Sequence, residues 1–565
     1  MGLHFPAALY LPQDAFDVAS NQVIGRRIAG RLLTRAFAAN LQDDEMLTVF
    51  SPGQQAVPAV NQLVASVMPS ASAVRVGGEP DAAVVSEIGA IHFPDPSLGR
   101  WAALRQGMHP TAFSLTGVIH TVCSDGALKG LGEIPLAPLY PWDAVVCTST
   151  AGRAVVASAL EQRLEAMLAR FRLDSPPPLA IDLPQLPVIP LAGPTEQPYR
   201  PELTRLERRQ HARQQLGVAQ DAFVVVFVGR LSFHSKCHPI SLYRALDELA
   251  GAHPDQSITL IECGHLFNSW IAGAYQELRS RFPRVNFRLI GGLQPADEIA
   301  KWQVLAAADV FTSPADNLQE TFGLSLLEAM MAELPLVVTD WNGYRDLVRD
   351  GVNGFLVPTL DILSDSSSAD ELDLAYADGR LNYDQMIGLR SLGVIVDHRA
   401  YVQAFGALLR DPLQRSAMAA SALEVLQQKF SPAAVTSAYR CLWNDLAECR
   451  RSASDTWRSV DALPALLPSY QRLFAHYPTA GFACSEAGSF VLNCAIEEAR
   501  ELLCSAMNQQ QLQRLMGGRL DLVLQVLNSS PELSERTLIE LGLSVGQSRK
   551  ALAALCKLGL LDCVR

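Results

Sequence analysis

The sequence predicts an α/β protein built from two successive doubly wound units with a helical extension behind them. Three observations carry that reading. Short apolar runs alternate with longer amphipathic stretches from Ala8 to about Pro190. The same alternation restarts at Phe223 after a proline-rich break. Beyond Arg450 it stops, and the remaining chain to Arg565 reads as helix with short turns. Alternation of buried strands with helices implies parallel sheets covered on both faces.

In the first unit, Ala8–Leu11, Met46–Phe50, Ile88–Phe93, Gly117–Thr121 and Ala144–Thr148 read as buried strands. Gln22–Phe37 and Gly152–Phe171 read as helices between or after them. The segment Ser175-Pro-Pro-Pro to Pro190 breaks the pattern and marks a boundary. A polar helix is expected around Glu202–Leu216. The second unit then supplies strands at Phe223–Val228, Ser257–Ile261, Asn286–Ile290, Asp309–Thr312, Leu336–Thr339 and Gly354–Val357. Ser364–Asp378, serine-rich and acidic, reads as a solvated loop, and Arg399–Leu446 as helical. In the tail, Leu520–Asn528, Glu535–Leu541 and Ser544–Leu558 have the spacing of a helix-turn-helix or winged-helix domain, with Leu541-Gly-Leu-Ser544 as the tight turn. The chain ends too early for a full wing. The expected domains are 1–195, 196–395, closing helices over 396–450, and the extension 451–565.

Bulk properties narrow the function. At 565 residues the chain is too long for one hydrophobic core. A net charge of −12 argues against a nucleic-acid binder, and few cations lie on the third helix of the tail (Arg549, Lys550, Lys557). Protein contact or self-association through 451–565 is the better expectation. The 11 cysteines form no Cys-x-x-Cys, so neither a zinc site nor a disulfide framework is indicated. No apolar run reaches the roughly 20 residues that span a bilayer, and the first residues read as a strand, not a signal peptide. The expected location is the cytoplasm, free or at the inner membrane face.

The most informative segment is Asn317-Leu-Gln-Glu320-Thr-Phe-Gly323-Leu-Ser-Leu-Leu-Glu328-Ala-Met-Met-Ala332. Strands precede and follow it, so it reads as strand, loop, helix, strand. A helix start presents unpaired N–H groups and partial positive charge to phosphate. Glu328 lies among Leu326, Leu327, Ala329 and Met330, where an acid is costly unless it has a partner. From another strand end, Gly229-Arg-Leu-Ser-Phe-His-Ser-Lys236 sets Arg230 and Lys236 where they would neutralise a diphosphate. Together the two segments read as a nucleotide-sugar site.

These residues resemble retaining glycosyltransferase family 4, whose GT-B fold has two facing Rossmann-like domains. The family's glutamate–seven residues–glutamate motif is matched by Glu320 and Glu328, with Phe322, Gly323 and Leu324 in place. Its Gly-Arg-Leu and lysine are matched by Gly229, Arg230 and Lys236. Glu328-Ala-Met-Met-Ala, Pro335-Leu-Val-Val, Asp340-Trp-Asn-Gly-Tyr-Arg-Asp346 and Gly354–Pro358 follow in the family's order. The resemblance is strong over Phe223–Pro358. It implies that Arg230 and Lys236 bind the donor diphosphate and steady the leaving group. It further implies that Phe322–Leu324 amides bind phosphate, that Glu328 takes the ribose hydroxyls, and that Glu320 orients the transferred sugar. His120, in Val118-Ile-His-Thr121, resembles the family's histidine on the acceptor-side strand, and Ile91-His-Phe-Pro-Asp95 is a second strand-end histidine and acid.

The chain departs from the family at four places. The glycine pair frequent in the first loop is missing from Asp17–Asn21, and Gly25 comes late. Glu333 stands where a glycine usually caps the helix, which suggests an altered turn. Glu262-Cys-Gly264-His265 replaces a Gly-x-Gly, which suggests a changed wall near the nucleotide. No Asp-x-Asp ends a strand, consistent with the family's usual metal independence, so no cofactor or metal is expected. The implied activity is transfer of a hexose from a nucleotide diphosphate sugar to a hydroxyl acceptor (glycan, lipid-linked or protein), in polysaccharide or glycoconjugate synthesis. The rival reading is a lapsed transferase of the same fold that recruits a partner through its tail.

Overall fold

The computed structural model describes residues 3–16, 25–53, 56–65, 67, 74–105, 108–172, 182–364, 367–454, 489–505, 520–529 and 532–564. The chain forms two compact units, Met1–Leu466 and Leu467–Arg565.

The first unit holds two parallel sheets. Strands β1 (Leu3–His4), β2 (Ala8–Tyr10), β3 (Glu45–Phe50), β4 (Val74–Gly77), β5 (Ala90–Phe93), β6 (Ser114–Val118) and β7 (Ala144–Val146) form the first. Its order is β4–β3–β2–β5–β6–β7, with β1 pairing the start of β3. Strands β8 (Phe223–Val228), β9 (Ile258–His265), β10 (Asn286–Gly292), β11 (Val310–Ser313), β12 (Leu336–Thr339) and β13 (Gly354–Val357) form the second, ordered β10–β9–β8–β11–β12–β13. Each order reverses once, between β2 and β5 and between β8 and β11, and a ligand crevice opens beyond the strand ends at such a reversal. Continuous apolar strands, such as the wholly buried Phe-Val-Val-Val-Phe-Val of β8, follow from helices covering both faces.

Each sheet is pinned near the strand ends away from that crevice by a buried arginine–aspartate pair. Arg105 grips Asp143 with two bonds of 3.0 and 2.7 Å, and Asp143 also accepts from the backbone of Leu115 and Tyr140. In the second half, Asp309 accepts from Arg213 at 2.7 Å, Arg209 at 3.0 Å and the Val224 amide at 2.8 Å. Burial works to raise the Asp309 carboxyl, yet the two guanidiniums outweigh it and hold it below its usual range. The three closing helices divide their contacts between the halves. His398–Arg410 packs on the Ile240–Ala252 helix and Pro412–Lys429 on the Leu324–Met331 helix. Pro432–Ser454 returns to the first half, where Arg440 pairs with Glu45 and Trp443 packs on Phe5 and Phe37.

Several expectations need correction. The strand read from Ile88 starts at Ala90, because Ala82–Ile88 is a helix ended by Gly89 at φ 100°. The strand read over Gly117–Thr121 ends at Val118, which leaves His120 in the loop beyond it. Residues 367–377 are a helix and not a loop: Asp370 falls in its first turn, where an acid complements the helix dipole. That helix and Tyr383–Ser391 sit between β14 (Thr359–Asp361) and β15 (Val394–Val396), an antiparallel pair. Glu333 keeps the capping turn instead of altering it. Its φ is 57°, its amide reaches the Met330 carbonyl at 3.0 Å, and Leu334 reaches Ala329 at 3.0 Å. Asp17–Asn21 lies outside the described residues, as do Gln22–Ile24 of the first expected helix and most of the proline-rich segment.

The second unit is not all helix. Strands β16 (Ser489–Leu492), β17 (Glu532–Leu533) and β18 (Leu561–Val564) form an antiparallel sheet ordered β17–β16–β18. Helices Leu520–Ser529, Glu535–Glu540 and Val545–Lys557 match the three expected ones, and Gly542 makes the turn at φ 84°. The last strand has a partner because β16, from earlier in the chain, fills the centre of the sheet. Phe490, Val523, Leu538, Leu552 and Leu555 form the core.

Two stability changes follow. Asp309→Ala strands Arg213 without its carboxylate and is expected to cost about 3–5 kcal/mol in urea unfolding. Glu333→Gly relieves a left-handed side chain and is expected to raise stability by about 0.5–1 kcal/mol in the same assay.

Candidate functional site

The carboxyl ends of the two sheets line one cleft of about 930 Å³. Nine residues singled out in the sequence line it: Gly229, Arg230, Lys236, Glu320, Phe322, Gly323, Leu324, Glu328 and His120.

The wall from the second half is built by close backbone approach. Gly264, near the end of β9, lies against Gly229, and a Cβ there would stand 1.8 Å from the Gly229 carbonyl oxygen. Glycine is therefore required at this crossing. Cys263, Gly264 and His265 line the cleft, whereas Glu262 is buried elsewhere, accepting from the Tyr243 hydroxyl and from Arg279 at 2.7 Å. Glu262 thus serves an internal ion pair, not the cleft wall.

The Asn317–Gly323 loop is clamped from several sides. Asn317 is fully buried and donates to the His234 carbonyl at 2.7 Å. Trp341 donates to the Asn317 carbonyl at 3.1 Å, and Asn342 to that of Glu320 at 2.7 Å. Gly343 tucks under Thr321, where a Cβ would fall 2.3 Å from its carbonyl oxygen. Gly323 begins the Leu324–Met331 helix at φ 113°, against the ring of Tyr344.

So held, Glu320 pairs with Lys236, and its other oxygen accepts from the amides of Thr321 and Phe322 at 3.2 and 3.3 Å. Burial pushes this carboxyl up, but Lys236 and the amides more than offset it and leave it below its ordinary range. Arg230 is exposed and donates to Gln319 Oε1 at 2.6 Å.

Glu328 has the partner that its apolar setting demands. Lys301 donates to it at 2.6 Å and lies 3.0 Å from Glu298. Burial raises the Glu328 carboxyl, and Lys301 only partly counters the rise. Sequence reading missed Lys301, although its place in Asp297-Glu-Ile-Ala-Lys301, ahead of the β11 strand, is visible in the chain.

From the first half, His120 reaches the cleft and hydrogen-bonds to Pro94. Burial, then Arg26, holds its ring down to about 3, so it acts as a neutral imidazole. His92 lies beneath, bonded to Thr116 at 3.0 Å and packed on Tyr439 and Trp443, and is part of the core. Asp95, from the same motif, does line the cleft. Among the described residues no cluster of three metal-ligating side chains occurs and no helix is long and apolar enough to cross a membrane. The two halves touch around the cleft through Ser149 to the Thr321 carbonyl at 2.7 Å and Thr150 to Asp346 at 2.5 Å.

Two facing Rossmann-like domains with this cleft between them make the GT-B fold. Residues 208–386 match the family described as glycosyl transferases group 1. The chain is 31% identical over 175 residues to a D-inositol 3-phosphate glycosyltransferase of Corynebacterium kroppenstedtii, covering 30% of this chain and 36% of that one. It is 30% identical over 144 residues to a phosphatidyl-myo-inositol mannosyltransferase of Mycobacterium tuberculosis, covering 25% and 34%. The matches thus span about a third of these relatives' length. Among solved structures, HepE of Anabaena in complex with UDP overlays 78% of this chain and 100% of its own at TM-score 0.46 and 18% identity.

Removing Lys236 should invert the behaviour of Glu320. In the parent, the lowered carboxyl adds stability above its unfolded pKa and loses it as pH falls through the folded one. In Lys236→Met, burial dominates, the carboxyl is raised, and stability is lost as pH rises. Urea unfolding should show a deficit of about 1–3 kcal/mol at neutral pH that shrinks towards about pH 4. A pH-independent deficit would contradict the pairing.

Proposed function

We propose that the chain is a retaining glycosyltransferase moving a hexose from a nucleotide diphosphate sugar to a hydroxyl acceptor, in polysaccharide or glycoconjugate synthesis. The observation that supports it is the convergence of Arg230, Lys236, Glu320, Glu328 and a helix start on one cleft. Arg230, Lys236 and the amides at Gly323 and Leu324 bind the diphosphate and meet the negative charge that grows as the sugar–phosphate bond breaks. Lys236 is held by Glu320. Glu320 thereby sits beside the cation that grips the phosphate, placed to accept hydrogen bonds from the hexose hydroxyls. Glu328, oriented by Lys301, takes the ribose hydroxyls. His120, uncharged, contacts sugar by hydrogen bonding alone. In this scheme the protein's own cations and helix start face the diphosphate, and no metal is needed. The enzyme works in the cytoplasm or at the inner membrane face.

A lapsed scaffold that recruits a partner through residues 451–565 is the second reading. The complete charged set in the cleft favours an active enzyme over it.

Lys236→Ala and Glu328→Ala should each lower transfer by a factor of about 100 or more, with circular dichroism unchanged. A double variant that transfers at the parent rate would overturn the assignment. Calorimetry with UDP, GDP and ADP separates the two readings, since a scaffold binds none of them.

A further inference from the structure

The cleft wall opposite the donor residues carries a second organised set of side chains. Tyr10, Asp14, Arg26, Asp95 and Arg100 all line the cavity. They come from the end of β2, the turn after it, the first turn of the Gly25–Ala39 helix, the loop after β5, and the Leu98–Trp101 helix. Their charges alternate in a row. Asp14 lies 3.4 Å from Arg26, Arg26 lies 3.8 Å from Asp95, and Asp95 lies 3.2 Å from Arg100.

Neighbouring groups fix the row. The other Asp95 oxygen accepts from the Ser97 amide at 3.1 Å. The Tyr10 ring packs on Trp101 at 4.6 Å, Trp101 stacks on Phe93 at 4.5 Å, and the Arg100 guanidinium sits 4.9 Å over Trp101.

Two carboxylates and two guanidiniums cancel, and His120 beside them is neutral. The described residues that line this wall therefore sum to no net charge with which to hold a phosphate. It offers hydrogen-bond acceptors and donors in alternation, next to an aromatic ring. A sugar hydroxyl both donates and accepts, so a row of this kind suits a polyhydroxylated ligand. Loose, partly exposed ion pairs contribute little individually, so hydroxyls inserted between their members replace what they displace.

The resemblance already places the acceptor on the first half, and we propose that the acceptor this wall takes is a neutral saccharide. The proposal rests on the donor reading above. The test uses the full chain with whichever nucleotide sugar it hydrolyses, offered methyl glycosides and neutral disaccharides against glucose 6-phosphate and phosphatidylinositol vesicles. Neutral sugars should be glycosylated with kcat/KM at least about tenfold above the phosphorylated acceptors. The Asp14→Asn, Asp95→Asn double variant frees both guanidiniums and should shift that ratio about tenfold towards glucose 6-phosphate. Arg100→Met, at an exposed side chain, should shift it the other way. Transfer only to phosphorylated acceptors, or a ratio unmoved in both variants, would overturn the proposal. If no nucleotide sugar is bound or hydrolysed, the donor reading fails and this one falls with it. If donor is hydrolysed while no neutral saccharide accepts, the acceptor inference alone fails.

Discussion

Holding the partly buried carboxylate of Glu320 is the constraint around which the second half is arranged. A buried acid is tolerated only with a cation and hydrogen-bond donors in place. Lys236 supplies the cation from beyond β8, and the loop's own amides supply the donors. For both to meet one side chain, the Asn317–Gly323 loop must turn back sharply. Asn317, Trp341 and Asn342 hold it there, and Gly323 and Gly343 are the positions at which a side chain would collide with the clamp. The start of the Leu324–Met331 helix is then aimed at the cleft.

The same logic recurs one and a half turns later. Glu328 enters an apolar helix face and receives Lys301 as its partner, which also engages Glu298. Two carboxylates in one cleft therefore differ in kind. Lys236 and the amides depress Glu320, whereas Lys301 leaves Glu328 raised.

Much of this was legible in the chain. β8, β12 and β13 fall on the expected residues because long apolar runs bounded by glycine or polar turns leave little choice. The cleft residues of the second half were readable because they sit at fixed offsets from those strands. Lys301 was not, since only the fold brings it beside Glu328. The charged row of the first half was equally hidden. Asp14, Arg26 and Arg100 are ordinary surface residues in sequence and join Asp95, a readable strand-end acid, only where strand ends converge. The inserted helix at 367–377 was misread because serines and acids mark loops and helix starts alike. In the tail, the helices were visible from their periodicity, whereas β16 and β17 are too short to register and pair with segments far along the chain.

The central claim is that the second half's cations and helix start form one seat for a nucleoside diphosphate. A crystal structure with the nucleotide that binds most tightly tests it most directly. The account predicts phosphates between Arg230, Lys236 and the amides of Gly323 and Leu324, with the ribose on Glu328. A nucleotide seated instead against Asp14, Arg26, Asp95 and Arg100, or with its phosphates away from the helix start, would contradict it.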